Sequence, residues 1–234
     1  MNQDPAADAR ALVNERFPHA RWAVLAGSVI TAQRTPGSDL DIVVLLPDGD
    51  PQTPYRAACR FRGWPVELFV HDEQSLTHYL DQGRHGRNPS MHRMVARGAV
   101  LVGDPSRWQA ESEGLLAEGP APLSTDERDN ARYHLTDLLD DLVHAVDPGE
   151  KAVIAGTAWT SAAQQVLAFA DHWSGGGKWL LRQLRELDPR LAERWAAAFG
   201  DVAAIEVIVR EMLDRIGGPL FEGFHAGGER PSVR

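Results

Sequence analysis

Apolar residues recur at helical spacing near the start of the chain. Ala6, Ala9, Leu12, Val13 and Phe17 predict a helix over 5–18 that Pro18 stops. The unbroken apolar run Trp22 to Ala26 ends at Gly27 and predicts a buried strand. Asp39 to Leu46 predicts a second strand, closed by the turn Pro47-Asp48-Gly49-Asp50-Pro51. Val66 to Val70 predicts a third, and Ala99 to Val102 a fourth, closed by Gly103-Asp104-Pro105. Helical patterns over Glu73–Leu80 and Ser90–Arg97 lie between those two. After Trp108 no strand pattern remains. Glu118-Gly119-Pro120-Ala121-Pro122 reads as a linker, and Ser124 or Thr125 as the cap of a helix with acids in its first turn. Three or four long helices follow, over roughly 125–146, 151–172, 177–199 and 201–216, with Gly175-Gly176-Gly177 separating the second from the third. Ala226 to Arg234 is rich in Gly, Pro and charge and is expected to fray. These patterns predict an α+β chain: a small mixed sheet with flanking helices over 1–108, then an α-helical bundle over 123–225.

Composition narrows the class. With 234 residues, 43% of them hydrophobic, the chain has material for one or two cored domains. Lys and Arg total 24 against 33 Asp and Glu, a formal charge of −9, which argues against a broad nucleic-acid-binding surface but leaves room for a local phosphate pocket. The single cysteine, Cys59, rules out an intrachain disulfide and a CxxC metal site. No apolar run approaches the ~20 residues of a membrane span. Met1 to Arg10 has no apolar core of a signal peptide. A cytoplasmic location is therefore expected.

The segment from Leu25 to Leu45 carries the chemistry. A strand ends at Gly27, where a glycine lets the backbone approach a ligand closely. Ser28 is placed to cap a short helix over Val29 to Arg34, whose free amides and hydroxyl make a cradle for phosphate oxygens. Pro36-Gly37-Ser38 then turns the chain into the next strand. Asp39 and Asp41 stand two apart there, so both carboxylates share one face. Two such close charges call for a cation, and carboxylate with phosphate oxygens suits Mg²⁺ better than zinc. A phosphate cradle beside a carboxylate pair is equipment for phosphoryl or nucleotidyl transfer.

Gly27-Ser28, a short helix, and Asp39-Leu40-Asp41 on the neighbouring strand resemble the signature of the polymerase-β-like nucleotidyltransferase superfamily. The resemblance covers residues 22–70. It implies a nucleotidyltransferase domain at the N-terminus, Mg²⁺ as the metal, and ATP or another NTP as co-substrate. It also implies a third carboxylate from a later strand, and Glu67 in Pro65-Val66-Glu67-Leu68-Phe69-Val70 stands where that residue is expected. Asp39, Asp41 and Glu67 are thus the expected catalytic and metal-binding residues, with Gly27 and Ser28 on the phosphates.

A helical domain behind such a domain resembles the architecture of the aminoglycoside nucleotidyltransferases, which implies a small-molecule acceptor and a lysine directed at the triphosphate. Lys178, after Gly175-Gly176-Gly177, suits that role as well as it suits ordinary surface. The alternatives are a minimal antitoxin-type enzyme acting on a protein side chain, and a catalytically silent module of the same fold. On the first long helix, Leu135, Leu138, Leu139, Leu142 and Val146 form the expected core stripe. Asp137, Asp140, Asp141 and His144 form a second stripe, read as a solvated acidic face or as a wall for a cationic acceptor. Trp159, Trp173, Trp179 and Trp195 are read as core or cleft lining.

Overall fold

A computed structural model describes residues 4–227, so the end of the expected frayed tail, 228–234, lies outside the described residues. The chain divides into two compact units, Met1–Pro120 and Ala121–Arg234.

The first unit opens with α1 (Pro5–Arg16), started by Asp4, whose carboxylate accepts from the amides of Ala6 and Ala7. The strands are β1 (Trp22–Ala26), β2 (Leu40–Leu45), β3 (Tyr55–Phe61), β4 (Trp64–His71) and β5 (Ala99–Gly103). Their order in the sheet is β3-β4-β2-β1-β5, with β2 and β4 parallel and the other neighbours antiparallel. Helices α2 (Glu73–His85), α3 (Ser90–Arg97) and α4 (Ser106–Glu118) complete the unit. Period-two alternation gives the sheet two faces. Leu40, Ile42 and Val44 of β2 and Val66, Leu68 and Val70 of β4 pack with Ala9, Leu12 and Val13 of α1. On the opposite face Trp22, Val24, Val43 and Leu45 pack with Leu76 and Leu80 of α2, Val95 of α3 and Trp108 of α4. Both faces are covered, which explains why β1, and β2 from Ile42 onward, read as unbroken apolar runs.

Two expectations for this unit need correction. Strand β3 was not expected: its inward positions Tyr55, Ala57, Cys59 and Phe61 do alternate with Arg56, Ala58 and Arg60, but two of the four are small and the apolar repeat is weak. It is joined to β4 by a tight turn at Arg62 and Gly63, both at positive φ. The helix expected over Val29 to Arg34 is a single 3₁₀ turn, Ser28–Ile30. The Thr31 hydroxyl donates to the Ser28 carbonyl and accepts from the Gln33 amide, and Thr31 itself is extended, so a side chain takes the backbone groups that would have continued the helix.

The second unit contains α5 (Thr125–His144), α6 (Pro148–Phe169), α7 (Lys178–Leu187), α8 (Pro189–Ala197) and α9 (Val202–Arg215). Ser124 and Glu127 close a capping box at the start of α5. The helix expected over 177–199 is two helices, since Pro189 has no amide hydrogen and Asp188 turns out of helical geometry to cap α8. Leu135, Leu139 and Leu142 enter the core with Leu138 beside them, but Val146 lies beyond the end of α5 and is exposed. Asp137, Asp140, Asp141 and His144 are all exposed, as a solvated face would be.

The helical core is pinned by two tryptophans. Trp159 and Trp195 stack with ring centroids 3.8 Å apart and planes 6° from parallel. Each indole Nε1 donates to the other residue's carbonyl at 2.8 Å. Trp173 is also buried, whereas Trp179 is partly exposed with the Arg182 guanidinium over its ring. Trp195→Ala is expected to cost about 3–5 kcal/mol, since it opens a cavity, breaks the ring stack and removes the indole donor to the Trp159 carbonyl. Urea unfolding followed by far-ultraviolet circular dichroism measures this.

Candidate active site

The register of the sheet builds the site. Ala26 of β1 lies opposite Asp41 of β2, Asp41 opposite Glu67 of β4, and Glu67 opposite Ala58 of β3. Asp41 and Glu67 therefore emerge side by side on one sheet face, and Asp39 approaches from the residue pair that leads into β2. One carboxylate oxygen from each of Asp39, Asp41 and Glu67 falls within 4.8 Å of the other two. All three residues are half-buried. Hard oxygen donors at this separation, with no sulfur or imidazole among them, fit Mg²⁺.

Gly27 follows β1 directly and touches the same cluster. Its φ is +79° and its ψ −169°, a conformation that belongs to glycine almost alone. A Cβ built there would meet Asp41 Oδ2 at 2.0 Å. The residue is thus glycine for two separate reasons, backbone conformation and the closeness of Asp41. Ser28 comes next, with its Oγ 2.8 Å from Ser38 Oγ. Ser38 in turn accepts from the Thr35 amide at 2.9 Å and is buried. Lys178 is exposed at the first position of α7, in the other unit, after Gly177 at positive φ.

Two neighbours of the cluster were not anticipated from the sequence. Ser38 fixes the Ser28 hydroxyl, and its position directly before Asp39 was the available signal. Arg56 of β3 donates from Nη2 to Glu67 Oε2 at 2.5 Å, while its guanidinium lies 5.0 Å from the centroid of the Phe69 ring. Arg56 could not be placed from the sequence because β3 itself was not recognised.

Further along β4, on the face that carries Glu67, stands His71. It is 4% exposed and its Nδ1 has no hydrogen-bond partner. Burial pushes its pKa down to about 4, against a smaller upward pull from Asp72. Burial also lowers His92 on α3, aided by the Arg84 charge. The unfolded chain takes up a proton at His71 near pH 6.5, whereas the folded chain does so only near 4. The unfolded state binds more protons across that window, so stability is full above pH 6.5 and falls as pH drops towards 4. His71→Gln is expected to flatten part of this slope, His92 supplying the rest. Urea midpoints at pH 7, 6 and 5 measure it.

No protein-family model matches the chain, and a search of curated proteins finds no match. Among solved structures, a nucleotidyltransferase-like protein from Exiguobacterium sibiricum is similar, with a TM-score of 0.48 and 14% identity over 90% of this chain and 75% of that one. No helix among the described residues is long and apolar enough to cross a membrane.

Proposed function

We propose that this protein is a Mg²⁺-dependent nucleotidyltransferase that moves a nucleoside monophosphate, AMP from ATP in the first instance, to a hydroxyl of a small molecule. The observation that carries this reading is the convergence of the Asp39, Asp41 and Glu67 carboxylates beside Gly27, where no side chain fits. Asp39, Asp41 and Glu67 are assigned to the metal, and Mg²⁺ bound there would offset charge on the phosphoryl oxygens. Gly27 gives the β- and γ-phosphates access to the backbone, and the Ser28 hydroxyl, held by Ser38, donates to a phosphate oxygen. Asp39 and Asp41 would act on the α-phosphoryl group through the Mg²⁺ they hold, and phosphates on Gly27 and Ser28 would put the leaving pyrophosphate towards the end of β1. The acceptor oxygen bonds to the α-phosphorus as the bond to pyrophosphate breaks, and the hydroxyl proton leaves to a carboxylate of the cluster or to water. Holding the reactants in line supplies much of the acceleration.

The test is incubation with Mg²⁺ and each of the four α-labelled NTPs against aminoglycosides, lincosamides, neutral alcohols and proteins. Labelled acceptor and released pyrophosphate in equal amounts are expected, with a small molecule as acceptor. Binding of Mg·ATP without transfer to any acceptor would instead make the protein a silent module.

Lys178 is proposed as the nucleotide-binding residue of the helical unit. Lys178→Ala is expected to weaken Mg·ATP binding about ten- to a hundredfold by calorimetry, as loss of a charge-assisted contact does. Lys178→Arg should rescue only part, because the planar guanidinium does not replace a compact ammonium. Unchanged affinity would return Lys178 to ordinary surface.

A further inference from the structure

A pocket of about 610 Å³ opens on the sheet face that carries Glu67, over β3 and β4 and under α2 and α3. Arg56, Phe69 and His71 of the sheet line it, with Tyr79 of α2 and Met91 and Met94 of α3. Its volume is that of a site for a drug-sized molecule. Arg56 ties it to the carboxylate cluster, since the same side chain bonds Glu67 and lies over Phe69.

Its position has a stereochemical meaning, which rests on the nucleotidyltransferase reading above. In the strand order β3-β4-β2-β1, Gly27 and Ser28 follow β1, and the carboxylates stand on β2 and β4. In-line displacement puts nucleophile and leaving group on opposite sides of the phosphorus. With pyrophosphate on the β1 side, the acceptor enters from the β4 side, where the pocket lies.

The lining defines what fits. Phe69, Tyr79 and the two methionines offer flat and adaptable apolar surface. Among the described lining residues there is no Asp or Glu, so a polycation finds no counter-charge here. Gln82, Asn88 and Ser90 contribute neutral polar groups. His71 makes an edge contact with Tyr79, their ring centroids 5.2 Å apart, and so joins the aromatic wall. Along β4, Phe69 stands about 7 Å and His71 about 13 Å beyond Glu67.

We infer that this pocket is the acceptor site and that the acceptor is a neutral, flat, multi-ring alcohol. Its reacting hydroxyl lies at the carboxylate cluster, and its rings lie between Phe69 and the methionines, with Tyr79 and His71 at the far end.

The test uses the full chain and three probes: 17β-estradiol and 7-hydroxyflavone as neutral ring alcohols, and kanamycin as a polycation. Equilibrium dialysis is run with Mg²⁺ and a non-hydrolysable ATP analogue, alongside calorimetry of Mg·ATP. At least one ring alcohol is expected to bind, at least tenfold more weakly to Met91→Trp, which fills the pocket, and severalfold more weakly to Tyr79→Ala. Tyr79 is 42% exposed, so its truncation tests the wall even where the larger residue is not accommodated. Mg·ATP affinity should be the same in all three proteins. The inference is overturned when neither ring alcohol binds, when the variants bind them as the parent does, or when kanamycin is the probe the variants lose. It is also overturned when the variants lose Mg·ATP, because the pocket would then hold the nucleotide. Mg·ATP binding without ring-alcohol binding removes the pocket inference alone. Absence of Mg·ATP binding removes the nucleotidyltransferase reading and the acceptor role with it.

Discussion

Asp39→Asn and Asp41→Asn are each expected to lower nucleotidyl transfer by about a thousandfold or more, as the loss of several kcal/mol of charge stabilisation requires. Asparagine keeps the shape of the side chain and removes only its charge. Three carboxylates with oxygens within 4.8 Å repel one another, and Arg56 pairs with Glu67. Without metal, each variant should therefore be at least as stable as the parent. The parent should gain stability as Mg²⁺ is added, by about 2.7 kcal/mol at a hundred times its dissociation constant, and the variants should gain far less at the same concentration. Thermal melts with and without Mg²⁺ separate a lost metal ligand from a damaged fold. Parental turnover in either variant would remove the assignment of these residues to the metal.

The sequence showed this cluster clearly because two local rules agree on it. A strand that ends in Gly-Ser and a strand that begins Asp-Leu-Asp can be read from neighbours in the chain. Bringing Glu67 level with Asp41 needs the parallel register of β2 and β4, which no local pattern contains. That step came from resemblance, and the geometry agrees with it. Strand β3 was lost for the opposite reason. In this edge strand the inward positions Tyr55, Ala57, Cys59 and Phe61 are only half-buried and two of them are small, so the apolar repeat beside Arg56, Ala58 and Arg60 is weak. Arg56 and the wall of the pocket were lost with it. In the sequence, His71 is one of four histidines spaced seven apart, at 71, 78, 85 and 92, and nothing local singles it out. Gly83, Gly86 and Pro89 rule out a common helix for that spacing, and His71 ends β4 while His92 lies in α3. Its burial depends on α2 folding back over the sheet, a tertiary fact. In the helical unit the break at Asp188-Pro189 was legible from proline's missing amide, but the apolar repeat running across it concealed the break.

Gly27→Ala is expected to damage stability and catalysis together, and the two losses can be told apart. At φ +79° and ψ −169° a side chain is strained wherever space exists, at a cost of about 1–3 kcal/mol. Space does not exist here either. The new methyl would lie 2.0 Å from Asp41 Oδ2 and 3.0 Å from its Cγ, so the carboxylate must turn away or the end of β1 must move by about 1 Å. A shift of that size at a carboxylate proposed to hold the metal is expected to lower transfer by about a hundredfold in protein that remains fully folded. Gly37→Ala is the control, because the nearest heavy atom to its added Cβ is Thr35 Oγ1 at 3.9 Å. That variant should stay within about 0.5 kcal/mol of the parent and keep its transfer rate. In an Asp41→Ala background the collision with the carboxylate disappears, and the backbone cost remains with a milder 3.3 Å contact to the residue-41 Cβ. The stability penalty of Gly27→Ala should therefore be smaller there than in the parent, and the difference measures the coupling between the two residues. Equal penalties in both backgrounds would show that Gly27 serves the turn alone and that its closeness to Asp41 has no energetic consequence.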